Sequence, residues 1–198
     1  MIKRMLDVLF ALSLIIVLSP LLLVIALVVR WSLGSPVLYA QQRPGLNEEA
    51  FTLLKFRTMR DANDAHGNPL PDADRLTTIG RLLRSWSLDE LPELWNVARG
   101  DMSLVGPRPL LMQYLPLYNS SQRRRHEVRP GITGWAQVNG RNAVAWEERF
   151  KMDVWYVENR TLWLDFKILY MTLIRVIRRE GISAKGEATV SVFKGTRE

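Results

Sequence analysis

An uncharged apolar run over residues 8–29 constrains the fold more than any other feature of the chain. A helix of about 22 residues rises roughly 33 Å, which is enough to cross a hydrocarbon core of about 30 Å. Pro20 interrupts the run, and a proline inside a helix removes a backbone donor and bends or breaks the helix. We therefore expect this segment to anchor the chain in a membrane and to be bent near its middle.

The charges on either side of the run bear on its topology. Lys3 and Arg4 precede it, and Arg30 follows it. A spanning helix normally has its positive excess on the cytoplasmic side only. Positive residues on both flanks therefore favour a re-entrant hairpin that bends at Ser19 and Pro20 and returns. A single kinked span is the alternative, and a cleaved signal peptide is disfavoured because no small-residue cleavage site follows.

Composition limits the chemistry of the chain. After a re-entrant anchor over residues 1–34, residues 35–198 suffice for one domain with a hydrophobic core. The chain has no cysteine and two histidines, which excludes disulfides, thiolate nucleophiles and multi-histidine metal sites. Any metal must be a hard cation such as Mg²⁺, held by carboxylates and phosphates. Beside an apolar anchor, the net charge of +7 suggests anionic lipids or a phosphorylated substrate as partners.

Hydrophobic patterns and turn residues predict an α+β fold in which helices accompany short strands. Strands are expected at 36–42, 50–56 and 135–138, and helices at 78–84, at 87–99 with a left-handed cap at Gly100, partly within 112–128, and at 163–179. The polar segment 61–74 is expected to be a loop. The last helix is either a core helix or an amphipathic helix on the membrane surface, and one helix can do both with different faces. Trp31 and Trp163 suit a membrane interface.

Two adjacent carboxylates form the sharpest local pattern. Asp89 and Glu90 follow Ser87, and a serine three residues before a glutamate is typical of a capping box at a helix start. In that interpretation the pair is structural. In the functional alternative, the same geometry presents an ionised Asp89 as a nucleophile, while both carboxylates hold Mg²⁺.

Several basic residues lie in segments that favour fixed positions over solvated helix faces. Arg108 stands between two prolines, Arg129 precedes Pro-Gly, and Arg141 follows Asn-Gly. Lys55 and Arg57 alternate along a predicted strand and would share one face. Guanidinium groups match phosphate oxygens. The predicted phosphate ligands are Lys55, Arg57, Arg84, Arg108, Arg129 and Arg141.

Motifs in five segments, taken in order, resemble one family. The segments are residues 55–59, 87–92, 96–97, 100–109 and 129–142. They resemble the bacterial sugar transferases, the monotopic phosphoglycosyl transferases, and the resemblance covers essentially the whole chain. The tail, 181–195, is most similar to the transferases for N,N′-diacetylbacillosamine phosphate, although residues 190–192 depart from their pattern.

The resemblance implies an enzyme on the cytoplasmic face of the bacterial inner membrane. Such enzymes transfer a sugar 1-phosphate from a UDP-sugar to undecaprenyl phosphate in glycoprotein or polysaccharide biosynthesis. The residue matching Asp89 attacks the β-phosphorus, UMP leaves, and polyprenyl phosphate attacks the covalent phosphosugar. The residue matching Glu90 completes the dyad, and Mg²⁺ neutralises phosphate charge. The family's re-entrant helix break maps onto Ser19 and Pro20.

Two alternatives accompany this interpretation. Transfer of glucose, galactose or N-acetylgalactosamine 1-phosphate, to prime a polysaccharide, is the alternative to N,N′-diacetylbacillosamine. A non-catalytic, membrane-anchored basic module that recruits nucleic acid or acidic partners is disfavoured, because recruitment requires charge but no carboxylate pair. We therefore expect membrane lipids and the two substrates as partners and no nucleic acid. The patterns leave the oligomeric state open.

Overall fold

The computed structural model of the chain describes residues 1–140, 144–178 and 193–195. Its helices and strands form the mixed architecture that the sequence predicts. The helices are α1 (Ile2–Leu33), α2 (Asp72–Arg75), α3 (Thr78–Ser85), α4 (Glu93–Arg99), α5 (Ser120–Arg123), α6 (Trp135–Asn139), α7 (Trp146–Asn159) and α8 (Leu162–Arg178). The strands are β1 (Leu38–Pro44), β2 (Ala50–Phe56), β3 (Ser103–Val105) and β4 (Gly131–Thr133), and single 3₁₀ turns or short 3₁₀ helices lie at Leu46–Glu48, Leu88–Glu90, Met112–Leu117 and Arg124–His126.

Helix α1 is long and apolar enough to cross a membrane by length and composition. Helix α1 is continuous through Pro20, so the structure does not show the hairpin that the sequence predicts. Proline has no N–H to donate to the carbonyl of Ile16, four residues earlier. The Ser19 hydroxyl donates to that carbonyl instead, at 2.8 Å. The Ser-Pro pair thus replaces a lost helical hydrogen bond inside an apolar, exposed segment.

The first turns of α1 are bonded to the rest of the protein. The Lys3 ammonium lies 2.6 Å from the Asp165 carboxylate on α8. The Arg4 guanidinium donates to the carbonyl of Val97, at the end of α4, at 2.7 Å. Asp7 is buried and accepts hydrogen bonds from β3. Because these polar groups are satisfied by the domain, the amino-terminal end of α1 is fixed against it.

The last turns of α1 also pack on the domain. Ile25 and Val29 are buried in one hydrophobic cluster with Phe56 of β2 and Leu83 of α3. Between the two attached ends lies an exposed apolar stretch that includes Ile16, which is 72% exposed. The helix therefore packs on the domain along one face, with Ile15 and Leu22 partly buried, and exposes its opposite apolar face.

Two small sheets organise the domain. Strands β1 and β2 form the antiparallel hairpin expected from the sequence. Strands β3 and β4 pair in parallel, and the strand expected at 135–138 is wrong because those residues form α6. The strand lies just before it, where Gly131 and Gly106 approach so closely that a Cβ on either would meet the backbone of the other. Only glycine permits that contact.

The core lies where α1, α4, α7 and α8 surround the parallel strands. Helix α8 contributes Leu164 and Ile168 to it, which confirms the core interpretation for one face. The opposite face is apolar and exposed, and it carries Trp163, Phe166, Tyr170, Leu173 and Ile177. Helix α8 therefore buries one face and presents a second apolar face outward. Helix α7, which the sequence did not predict, supplies the buried Tyr156.

Candidate active site

The carboxylate pair lies on a short turn rather than in a capped helix. Ser87 has a left-handed backbone with φ of 55° and makes no side-chain cap hydrogen bond, so the predicted capping box is wrong. Asp89 and Glu90 belong to the 3₁₀ turn that follows, and α4 begins only at Glu93. The helix ends at Gly100 with φ of 104°, which confirms the predicted left-handed cap.

Glu90 is held between two cations. The Lys55 ammonium lies 2.7 Å from Glu90 Oε1, and the Arg108 guanidinium donates to both carboxylate oxygens. Burial raises the pKa of Glu90, but the charges of Arg108 and Lys55 outweigh burial and hold that pKa well below its usual range. Glu90 is therefore ionised. Its carboxylate oxygens bond to Lys55 and Arg108 instead of capping a helix.

Asp89 has the opposite electrostatic character. Asp89 is buried, with 8% of its surface exposed. Burial, followed by the charge of Glu90, raises the pKa of Asp89, while Lys55, Arg84 and Arg108 oppose that rise. Two neighbouring carboxyl groups with opposite pKa shifts are typical of catalytic pairs with separate roles. A binding phosphate would find Asp89 close to several positive charges.

Three of the predicted phosphate ligands lie at the dyad. Lys55 and Arg108 bond to Glu90, as described above. Arg84 donates through Nε to the Thr58 hydroxyl at 3.1 Å, and its charge acts on Asp89. The hairpin, α3 and the proline-flanked loop therefore each supply one cation to the same place.

Arg57 binds the end of α1 instead. Strand β2 ends at Phe56, so the alternation that would place Arg57 beside Lys55 stops one residue too early. The Arg57 guanidinium donates to the carbonyls of Leu33 at 3.2 Å and Ser35 at 3.3 Å. Arg57 also donates to the Met59 carbonyl and to the Asp61 carboxylate, and none of these described hydrogen bonds involves the dyad.

Of the two remaining predicted ligands, only Arg129 is among the described residues. Arg129 donates through Nε to the carbonyl of Gly100 at 2.8 Å, at the carboxyl end of α4. Arg141 lies outside the described residues. The Arg129 hydrogen bond is to the end of α4 and not to the dyad.

Sequence reasoning missed two charged residues of the site. Glu93 is 1% exposed, and its Oε1 lies 3.1 Å from the Lys55 ammonium. Burial raises the pKa of Glu93 to about 7, so Lys55 bridges two glutamates of different basicity. Arg43 on β1 is the second, since burial and then the charge of Arg108 lower its pKa. For Glu93, the sequence did offer one indication: it lies four residues after Asp89, and residues four apart on a helix are neighbours.

A Mg²⁺ ion fits only part of the predicted ligand pair. Among the described residues, no three or more histidine, aspartate and glutamate side chains are grouped to hold a metal. Both Glu90 oxygens already accept from Arg108. Asp89 remains as a carboxylate ligand, and Mg²⁺ is commonly bound by one or two carboxylates together with substrate phosphates. The donor set therefore suits a metal that arrives with a phosphorylated substrate.

Comparison with known proteins gives a consistent result. The sequence model of the family described as "Bacterial sugar transferase" matches residues 1–179. The uncharacterized sugar transferase EpsL of Bacillus subtilis is 55% identical over 194 residues, which is 98% of this chain and 96% of that protein.

Two further relatives have named substrates. The UDP-glucose:undecaprenyl-phosphate glucose-1-phosphate transferase of Xanthomonas campestris is 41% identical over 88% of this chain and 38% of its own length. The undecaprenyl-phosphate galactose phosphotransferase of Salmonella typhimurium is 39% identical over 90% of this chain and 41% of its own length. This chain therefore spans about two fifths of the length of these two relatives.

Proposed function

The chain belongs to the bacterial sugar transferase family, and from that premise we propose that it transfers a hexose 1-phosphate from a UDP-sugar to undecaprenyl phosphate. The observation that carries the proposal is the buried Asp89 beside Glu90, whose carboxylate is bonded by both Lys55 and Arg108. A nucleophile and a cluster of phosphate-binding cations are what phosphoryl transfer requires.

The reaction proceeds in two displacements at one phosphorus. An Asp89 carboxylate oxygen attacks the β-phosphorus of the donor, and the bond between this phosphorus and the oxygen that bridges it to UMP breaks. UMP leaves with that electron pair, and an acyl phosphate links Asp89 to the sugar. A phosphate oxygen of undecaprenyl phosphate then attacks the same phosphorus and displaces the Asp89 carboxylate.

The neighbouring residues stabilise charge during both displacements. Arg84, Arg108 and Lys55 lie around the carboxyl pair, where preorganised cations act on the developing negative charge. Glu90 holds Lys55 and Arg108 in place and stays ionised. Mg²⁺ bound by Asp89 and the diphosphate oxygens would supply further charge neutralisation.

The names of the relatives favour glucose or galactose over N,N′-diacetylbacillosamine as the donor sugar. We expect purified enzyme in detergent, given undecaprenyl phosphate and a panel of UDP-sugars, to release UMP fastest with UDP-glucose or UDP-galactose. The matched control omits enzyme for each donor. Release of UMP from UDP-N,N′-diacetylbacillosamine alone would contradict the hexose assignment and leave the reaction class intact.

We also propose that α1 enters the cytoplasmic leaflet and returns without crossing. Lys3 at its start and Val29 near its end both contact the same domain. Because the domain packs along α1 between these two points, a helix that crossed the bilayer would carry polar parts of the domain into the hydrocarbon core. The exposed stretch around Ser19 and Pro20 is then the part that enters the lipid. The exposed apolar face of α8 would lie on the membrane surface beside it.

Cysteine labelling tests this topology in a chain that contains no cysteine. Ile2→Cys and Ser35→Cys introduce one thiol at each end of α1, and both positions are exposed. We expect an impermeant maleimide to label neither variant in intact cells and both after permeabilisation. A cysteine at exposed Ser120 serves as the reference for the domain. Labelling of Ile2→Cys from outside, with Ser35→Cys protected, contradicts the re-entrant proposal.

A further inference from the structure

Phe193 is buried in a cage of aromatic rings although it lies beyond residues 1–179, which the family model matches. Its ring centroid is 5.0 Å from that of Phe150 and 5.6 Å from those of Tyr114 and Trp146. Tyr118 stacks on it at 5.9 Å. The Phe193 backbone N–H donates to the Tyr114 hydroxyl at 3.2 Å. Ring contacts and a hydrogen bond therefore fix this residue in place.

Two walls of this cage enclose a buried arginine. The Arg125 guanidinium carbon lies 5.8 Å from the centre of the Tyr118 ring and 5.6 Å from that of Phe150. The same guanidinium donates to the Asp153 carboxylate through Nε at 3.1 Å and Nη2 at 2.7 Å. Arg125 and Asp153 are 2% and 3% exposed. The aromatic rings thus hold a desolvated ion pair in one orientation.

The same ion pair is hydrogen-bonded to the loop that contains Arg108. Arg125 Nη2 also donates to the backbone carbonyl of Arg108 at 2.8 Å. Prolines 107 and 109 flank Arg108 and restrict the backbone on either side. Because this segment is stiff, the hydrogen bond to the Arg108 carbonyl fixes the position of the Arg108 backbone. The backbone position in turn determines how the Arg108 side chain reaches Glu90.

We propose that Phe193 is a positioning residue for Arg108, acting through Tyr118, Phe150 and Arg125, and this inference rests on the proposed function. Without the Phe193 ring, Tyr118 and Phe150 each lose one ring contact, and these are the two rings that pack against Arg125. Arg125, and with it the Arg108 carbonyl, can then shift. A displacement of about 1 Å in a substrate-binding group can cost about 10²-fold in rate, so a partial shift should cost about tenfold.

The test measures UMP release from a UDP-hexose in Phe193→Ala, Phe193→Leu and Lys194→Ala. Lys194 is the exposed neighbour and serves as the matched control. We expect kcat/KM to fall about tenfold in Phe193→Ala, to fall less in Phe193→Leu, which refills part of the cage, and to be unchanged in Lys194→Ala.

A double-mutant cycle separates positioning from general stability. In an Arg108→Ala background, Phe193→Ala should change kcat/KM by less than about twofold, since the residue it positions is absent. The same tenfold loss in both backgrounds would overturn the inference, because Phe193 would then act on the fold as a whole.

Amide hydrogen exchange supplies a readout that does not depend on activity. Exchange at Gly106, Arg108 and Leu110 should accelerate in Phe193→Ala and stay unchanged in Lys194→Ala. Unchanged exchange at these amides in Phe193→Ala overturns the inference even where activity falls. Absence of UMP release by the wild-type protein counts against the proposed function instead, and the exchange comparison still decides whether Phe193 holds this loop.

Discussion

Replacing Asp89 with asparagine should lower UMP release on the order of 10³-fold or more, because the amide cannot form the acyl phosphate. The same change should not destabilise the fold. Burial, and then the charge of Glu90, raise the pKa of Asp89, so its ionised form is disfavoured in the folded protein. The unfolded chain therefore loses this proton at lower pH than the folded protein does. The Asp89 contribution to stability consequently becomes less favourable as pH rises through that interval.

A neutral asparagine escapes this cost at pH 7. We therefore expect the melting temperature of Asp89→Asn in detergent to equal or exceed that of wild type at pH 7, with the difference shrinking at lower pH. This comparison separates chemistry from structure. Near-normal turnover in Asp89→Asn would contradict the nucleophile assignment, and a large loss of melting temperature would indicate a structural carboxylate.

Replacing Arg108 with alanine is expected to lower kcat/KM about 10²-fold, which is the typical loss when one preorganised donor to a reacting group is removed. Arg108 bonds to Glu90 and contributes to the charge around Asp89. Glu90 keeps Lys55 at 2.7 Å, so an ion-pair partner remains in the variant. Arg108→Lys should fall between, since lysine keeps the charge and loses the planar fork.

Arg124 provides the matched control for this change. It is also an arginine with carboxylate partners, but those partners are Glu127 and Glu158 at the surface. Surface pairs of this kind contribute little to stability, so Arg124→Ala should keep wild-type kcat/KM. If the kcat/KM of Arg108→Ala is within about threefold of that of the Arg124→Ala control, Arg108 does not bind substrate as proposed.

Local patterns predicted much of the fold. The hairpin β1–β2 and helices α3 and α8 follow from alternation, helical periodicity and turn residues, and they lie where the sequence placed them. The parallel pair β3–β4 depends on two glycines that approach across the chain, at Gly106 and Gly131. A contact of this kind leaves no periodic pattern in either segment, which explains why the strand was expected a few residues too late.

The site was predictable in its residue types and less so in its partners. Asp89, Glu90, Lys55 and Arg108 belong to motifs that suggest phosphate chemistry. Their assembly depends on side-chain directions that spacing does not determine. Glu90 could have capped a helix, but the approach of Lys55 and Arg108 gives it charged partners instead. Charge partners brought from distant elements thus override the local capping pattern.

Two of the predicted phosphate ligands bind helix termini instead. Arg57 satisfies carbonyls at the end of α1, and Arg129 satisfies one at the end of α4. Unpaired carbonyls at helix ends attract cations as phosphates do. From sequence alone the two destinations look the same, since both require only an arginine near a turn.

The covalent intermediate is the central claim, and mass spectrometry tests it most directly. Wild-type protein incubated with its UDP-hexose and Mg²⁺, without lipid acceptor, should release UMP and gain the mass of one hexose phosphate on the peptide that contains Asp89. Addition of undecaprenyl phosphate should discharge the adduct, and Asp89→Asn should never acquire it. UMP release that requires the lipid acceptor, with no adduct on that peptide, would contradict the account and indicate direct displacement.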